Sequence, residues 1–316
     1  MRRLLFDGEG RLRLGWRLLL YLLVFAVSGA AASILGHALR ATVPRWAQGL
    51  VVLGVGGGSC ILGFRLLRRK VDRRPWSWIG LSISGRTLGP LASGFAAGIL
   101  MLGALFCVEW RLGWVEPTWV YEPWRLSAIV GALFTALAIG VMEELLLRGA
   151  FLQDLGERLP LWGATLGAGA IFGLLHLANP AQHVDAAFVL SAAVATLMLV
   201  LARFVTGTLA WAIGWHAAWD WMQDLLGIAD LGASKDHQLV SVVQHGPPAW
   251  TGRAPSIEGG GLAILIIALA AAAFWLLQGR RGRRIDWRQP LVQGEPRPLH
   301  APVVEVAAPR PLPRTE

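Results

Sequence analysis

The sequence predicts an all-α fold, a polytopic membrane bundle of about eight transmembrane helices. Of its 316 residues, 55% are hydrophobic and only 16% are charged, whereas about a quarter of a soluble domain is charged. Apolar runs recur at lengths near the ~20 residues that a helix needs to cross a bilayer. The charged residues cluster between these runs, which is typical of loops at a membrane surface.

Eight apolar segments are long enough, or nearly long enough, to cross. The first has a basic start and a small-residue stretch at Ser28–Ala32, similar to a secretory signal. Its apolar run continues to Leu39, which favours an uncleaved anchor. Pairs such as Gly94 and Gly98 indicate closely packed helices. The predicted spans are residues 17–39, 46–67, 88–110, 127–152, 161–178, 185–203, 206–226 and 262–278.

Arginine and lysine orient these spans. With the amino terminus inside, the predicted inside segments are far richer in basic residues, as in the run Arg65–Arg74 and the cluster Arg280–Arg288. This asymmetry predicts a multi-pass protein of the cell membrane with both termini in the cytosol. The same topology explains the net charge of +9, so the predicted partner is the lipid bilayer and no nucleic acid is expected.

Two domains are predicted along the chain. Residues 1–286 form the transmembrane domain, and residues 287–316 form a disordered cytosolic tail, because they are rich in Pro and Arg and lack apolar periodicity. Cys60 and Cys107 lie in apolar segments and are predicted to be packing residues without a disulfide.

The predicted outer stretch 227–261 contains Asp236, His237 and His245. A metal site there is one interpretation. The spacing of these residues fits no zinc-ligand pattern, so a solvated loop is favoured.

Adjacent carboxylates interrupt the fourth span. A charged carboxylate at the bilayer centre costs at least ~2.5 kcal/mol, so Glu143 and Glu144 indicate a functional site. Consecutive residues on a helix point about 100° apart. One glutamate can therefore line a cavity while the other pairs with Arg148, and Arg148 follows Glu144 by the favourable four residues.

Histidines occur in the fifth and seventh spans. His176 lies four residues after Phe172, and Asp220 lies four after His216, so each pair shares one helix face. A carboxylate one turn from an imidazole can fix its tautomer and raise its basicity. The three spans together predict a hydrolytic site, in which a glutamate takes a proton from water and the histidines bind a metal or donate to the oxyanion.

Other interpretations of these groups stay open. The two glutamates and Arg148 would also form a structural ion network, and a membrane histidine is often only an interhelical hydrogen-bond donor. The alternative to a hydrolase is a non-catalytic membrane protein that uses the cluster as an ion or proton path, or to bind a partner. The span limits also place His176 closer to the outer end than Glu143. Tilting of the fifth helix or a break near Asn179–Pro180 would remove that difference.

Three ordered motifs resemble a known family. Glu-Glu-x-x-x-Arg at 143–148, Phe-x-x-x-His at 172–176 and His-x-x-x-Asp at 216–220 are similar to those of the CPBP family, the CAAX-protease and bacteriocin-processing (Abi) intramembrane endopeptidases. The resemblance covers a protease-like core at about 80–225, and the block Arg74–Leu81 is similar to the one before the family's core. It implies a peptide hydrolase of eight membrane helices with a site open to the cytosol.

Carried over by position, the resemblance implies that Glu143 activates water together with His176. Glu144 and Arg148 would shape and charge-balance the site.

His216 and residue 220 would support the oxyanion. Prenyl-protease relatives carry asparagine where this sequence has Asp220, and an ionised aspartate is a poor oxyanion donor. Asp220 would therefore be protonated or would orient His216.

Two aspects of the chemistry stay open. A divalent metal such as zinc, held by Glu143, His176 and His216 as in a metalloprotease, and a purely glutamate-driven reaction are both compatible with the resemblance. The expected substrate is a peptide or protein presented at the membrane. A prenylated carboxy terminus, a leader peptide and a membrane anchor all fit.

Overall fold

The computed structural model forms a bundle of helices with one small sheet. It describes residues 5–8, 10–82, 85–177, 184–228, 235–253, 257–280, 284–292 and 294–295. Within these ranges the main helices are α1 (Leu14–Ala38), α2 (Arg45–Asp72), α3 (Leu88–Arg111), α4 (Pro123–Gly156), α5 (Leu161–His176), α6 (Ala186–Thr206), α7 (Ala210–Leu225) and α8 (Gly261–Arg280).

Six of the described helices, all except α5 and α7, are long and apolar enough to cross a membrane. α5 is apolar but has only 16 residues, about 24 Å at 1.5 Å per residue, which is less than the ~30 Å hydrocarbon core. α7 also has 16 residues and carries His216, Asp220 and Asp224. The predicted all-α, multi-pass membrane bundle is confirmed, whereas the predicted number of eight crossings is not.

Two of the helices contain π-helical segments. In α2 these are Leu53–Gly57 and Arg68–Asp72. In α4 the π-helical segment Leu145–Phe151 begins directly after Glu144. Such wide turns often occur at functional sites because they redirect side chains within a continuous helix.

The two ends of the bundle differ. At one end, β1 (Val115–Trp119) pairs antiparallel with β2 (Val240–Gln244), and Val115 lies opposite Gln244. We call this the sheet end. The opposite end, where α2, α4, α6 and α8 finish, contains the arginine-rich segments and is called the basic end. That the basic end is cytosolic stays a prediction.

The polar residues of the predicted outer loop contact three different partners. Asp236 Oδ2 lies 3.1 Å from Arg45 Nη2, which joins the loop to the start of α2. His237 Nε2 lies 3.6 Å from Asp224 Oδ1, and the exposed His245 lies 3.4 Å from a carboxylate oxygen of Glu116 on β1. These contacts attach the 235–253 segment to the helices and to β1.

A buried ionic cluster joins three helices at the basic end. Arg68 Nη1 lies 2.9 Å from Asp72 and 2.5 Å from Asp154, and Arg17 Nη1 lies 3.6 Å from Asp154. The hydroxyl of Tyr21 donates to Asp72. All four charged side chains are almost fully buried, so each depends on its opposite charges for compensation.

The chain after α8 also packs at the basic end. The amide of Leu161 donates to Gln289 O at 3.0 Å, and the amide of Leu291 donates to Gly156 O at 2.7 Å. Ile285 and Leu291 are buried. The described beginning of the predicted tail therefore contacts the helical core, and residues 293 and 296–316 of that tail lie outside the described residues.

Glycines bring α3 and α7 into close contact. A methyl group on Gly94 would overlap the backbone oxygen of Trp211, and one on Gly214 would overlap the backbone oxygen of Leu91. Without a hydrophobic force between helices in lipid, such close approach is a main source of packing energy. It fixes the position of α7, and with it that of His216.

Gly94→Ala is expected to destabilise the bundle by about 1–3 kcal/mol, because the added methyl overpacks this contact. The measurement is thermal unfolding of the purified protein in detergent. Gly103→Ala on the same helix is the matched control, since no heavy atom lies within 4 Å of its added methyl. Equal unfolding temperatures for the two variants would contradict the expectation.

Candidate active site

α4, which carries the two glutamates, packs closely against α7, which carries His216, because α4 has a glycine at the contact. Gly140 on α4 faces α7, and a Cβ at this glycine would lie 3.0 Å from Ile213 O and 3.3 Å from Ala217 N. One turn further along α4, this close approach places Glu144 beside His216.

Glu144 lies fully inside the bundle, as does Arg148. Its side chain is fully buried, and its Oε1 accepts a hydrogen bond from Arg148 Nη1 at 2.7 Å. The same oxygen lies 2.9 Å from His216 Nδ1. The contact expected from the four-residue spacing of Glu144 and Arg148 is therefore present, and the carboxylate also holds the imidazole.

Arg148 connects α4 to two further helices. Its Nη2 donates to Thr196 Oγ1 on α6 at 2.9 Å, and its guanidinium lies 5.0 Å from the ring centroid of Phe172 on α5. Its backbone oxygen accepts from Arg203 Nη1 at 2.5 Å, and Nη2 of Arg203 donates to Trp78 O. No spacing or motif in the sequence indicated the roles of Thr196 and Arg203. The charge of Arg203 at the end of an apolar run was the one feature in the sequence that could have indicated its role.

The second nitrogen of His216 faces two more carboxylates. Nε2 lies 3.6 Å from Glu143 Oε2 and 3.6 Å from Asp220 Oδ2. His216 is buried, whereas the Glu143 side chain remains 21% exposed. Three of the predicted acidic residues thus converge on one imidazole, and Glu143, the most exposed of them, has no arginine partner among the described contacts.

His176 lies apart from this group. It is the last residue of α5, and its Nδ1 lies 2.8 Å from Phe172 O. Its ring packs against Phe172 at 4.5 Å and Phe188 at 5.1 Å between centroids, and Phe172 packs against His216 at 6.2 Å. Among the described contacts, none joins His176 to a carboxylate. The span limits placed His176 nearer the outer end than Glu143, and this agrees with its position at the end of α5. Asn179–Pro180, where a break in the helix was one possibility, lies outside the described residues.

A small cavity adjoins His216. Its volume is about 40 Å³, enough for one or a few water molecules. Its walls are largely apolar, while Ser191, His216, Asp220 and Glu258 add polar groups. Glu258 precedes α8 on the sheet-end side, so the cavity reaches toward that end. The full lining is Phe172, Phe188, Ser191, Ala192, Ala195, Leu199, Trp215, His216, Trp219, Asp220, Glu258 and Ile267.

No three His, Cys, Asp or Glu side chains in the described ranges form a group with metal-binding geometry. Of the predicted ligands Glu143, His176 and His216, the first and last approach each other and His176 contacts other groups. The predicted zinc site stays a prediction.

A bundle of apolar helices with an acid-histidine cluster in its interior defines an integral membrane protein with an enclosed polar site. Residues 125–222, about a third of the chain, match the family described as Type II CAAX prenyl endopeptidase Rce1-like. The matched segment runs from α4 into α7 and contains all six predicted site residues. The predicted resemblance to the CAAX-protease family is confirmed over this segment. No curated protein matches the chain.

Removal of the Arg148 charge is expected to destabilise the protein by about 3–5 kcal/mol, because Glu144 would stay buried without its compensating charge. Arg148→Met tests this by unfolding in mixed detergent micelles.

The double variant Glu144→Gln and Arg148→Met removes both charges and should recover most of the lost stability. Additive losses in the double variant would show that the pair is not a compensated ion pair.

Proposed function

We propose that this protein is an intramembrane endopeptidase that hydrolyses a peptide bond with water activated by Glu143 and an oxyanion stabilised by His216. The observation that carries the proposal is the position of His216, held by Glu144 at one nitrogen and facing Glu143 and Asp220 with the other. The family match over residues 125–222 supports the reaction class.

Glu143 is the proposed general base. Its side chain is partly exposed, and the buried oxygen Oε2 has no hydrogen-bond partner among the described residues. A carboxylate without a guanidinium partner can accept a proton from a water molecule beside it. The water oxygen then forms a bond to the substrate carbonyl carbon, and the carbonyl oxygen becomes an oxyanion.

His216 is the proposed donor to that oxyanion. Glu144, charge-balanced by Arg148, accepts from Nδ1–H and so fixes the orientation of the ring. When Nε2 is also protonated, its N–H points into the space beside Glu143, where a carbonyl oxygen can accept it. The C–N bond then breaks, and the proton held by Glu143 passes to the leaving nitrogen.

Asp220 is proposed to orient His216. An ionised carboxylate cannot donate to an oxyanion, but Oδ2 of Asp220 lies 3.6 Å from Nε2, close enough for its charge to attract the imidazolium and hold that side of the ring in place. Of the two roles that the sequence leaves open for Asp220, this contact supports the second.

His176 is proposed to contact the substrate. Its Nδ1 is used by Phe172 O, which leaves Nε2 available for a hydrogen bond to a peptide group of the substrate. The steps above use only protein side chains. A zinc ion held at the predicted ligands would supply a more acidic water, and elemental analysis of the purified protein tests for it.

The assay uses proteoliposomes and peptides analysed by mass spectrometry. One peptide ends in a farnesylated C-a-a-X sequence, because the matched family is named for CAAX prenyl substrates. A second peptide has the same sequence without the prenyl group, and a third is a leader-type peptide. Cleavage of any of them supports an endopeptidase, and the pattern identifies the substrate class.

Glu143→Gln is expected to lower the cleavage rate by about 10²–10⁴-fold, because an amide cannot take the proton from water. The measurement is the initial rate on the best peptide. Glu122→Gln, an exposed carboxylate before α4, is the control and should keep the wild-type rate. Proton flux that depends on Glu143, without cleavage of any peptide, would instead indicate an ion path.

Asp220→Asn is expected to retain cleavage within about tenfold, because the amide oxygen can keep the same place beside Nε2 and the NH₂ group can donate to the oxyanion. Asp220→Ala should lose more, since nothing then orients that side of the imidazole. Equal rates for the two variants would argue against the orienting role.

A further inference from the structure

A second cavity lies far from the candidate active site, at the basic end beside α8. Its volume is about 510 Å³, within the range of about 300–1,000 Å³ that ligand pockets occupy. It is formed between the end of α8 and the chain that follows. Its lining is Trp275, Leu276, Gln278, Arg284, Ile285, Asp286, Trp287 and Arg288.

Specific contacts hold the walls of this cavity in place. The amide of Ile285, itself buried, donates to the side-chain oxygen of Gln278 at 3.3 Å. The ring of Trp287 stacks on Trp275 with centroids 6.0 Å apart, and the backbone oxygen of Trp287 accepts from Trp162 N at 3.1 Å. The segment is therefore fixed against both α8 and the start of α5.

The charged side chains of the cavity favour an anion. Arg284 and Arg288 are both exposed, and in the described ranges neither has a carboxylate within 4.0 Å. Asp286, the acidic residue of the lining, accepts the backbone amide of Arg288 at 3.0 Å. Two guanidinium groups against one carboxylate leave a net positive charge at the cavity.

An apolar stripe leads along α8 to the same place. Leu265, Leu269 and Leu276 are 48%, 61% and 66% exposed, and their spacing puts them on one face of the helix. This face has the character of a surface covered by acyl chains. Leu276 also lines the cavity, so the stripe and the charged cavity are continuous. Trp275 and Trp287 sit where interfacial tryptophans are expected.

We propose that this cavity binds one anionic glycerophospholipid. Arg284 and Arg288 hold the phosphate, and an acyl chain lies along the stripe of Leu265, Leu269 and Leu276. Basic pockets next to membrane helices recognise lipid headgroups in this way. The proposal does not depend on peptidase activity.

Native mass spectrometry of the full-length protein in detergent tests it, with phosphatidylglycerol as the probe and phosphatidylcholine as the neutral comparison. Retention of one phosphatidylglycerol is expected for the wild type. Arg284→Gln combined with Arg288→Gln should weaken that binding by about fivefold for each arginine. The lysine pair at the same positions should keep most of it.

The matched control is Arg40→Gln combined with Arg111→Gln, which removes two exposed charges at the sheet end and should bind phosphatidylglycerol as the wild type does. Equal loss in the control pair, equal retention in the Arg284 and Arg288 pair, or equal binding of phosphatidylcholine would overturn the proposal. Displacement of the lipid by millimolar inorganic phosphate would also overturn it, because the site would then recognise a free anion.

Discussion

The carboxylate of Glu144 is the interaction on which the rest of the site depends. It is fully buried and touches Arg148 and His216 through one oxygen. A buried charge is costly unless paired and hydrogen-bonded, so the guanidinium must stay close, and it in turn contacts α5 and α6 through Phe172 and Thr196. One ion pair thereby fixes four helices around a single imidazole.

The backbone of α4 departs from a regular α-helix next to the buried ion pair, and this departure lets the charged groups meet. The π-helical turn of α4 begins directly after Glu144 and includes Arg148, while Gly140, one turn earlier, lets α7 approach. Both features cost stability in an isolated helix. They are retained where they let the guanidinium and the imidazole reach the same carboxylate oxygen.

Much of this could be predicted from the sequence, because membrane spans and four-residue spacings are local signals. The helix positions and the Glu144–Arg148 contact follow from them, whereas the approach of His216 to the carboxylates is expected from the cost of burying the whole polar set and from the family resemblance. The span limits indicated that His176 lies nearer the outer end than Glu143, but its contacts with Phe172 could not be predicted, since they depend on where α5 ends and on how Phe172 packs. The packing of residues after α8 was also missed, because a few apolar side chains such as Leu291 are a weak signal within a Pro- and Arg-rich tail.

The two adjacent glutamates illustrate how one helix can separate two functions of the same chemical group. Because consecutive side chains point about 100° apart, Glu144 faces the protein interior and Arg148, whereas Glu143 remains partly exposed beside His216. A carboxylate neutralised by arginine is a poor base but a good support for a histidine, and an unpaired one has the opposite properties. Exchange of the two environments would leave the imidazole without its buried support and would pair the base with a guanidinium, which lowers its basicity. The order Glu-Glu-x-x-x-Arg therefore carries chemical meaning: the arginine must lie one turn after the second glutamate, so that the first stays free.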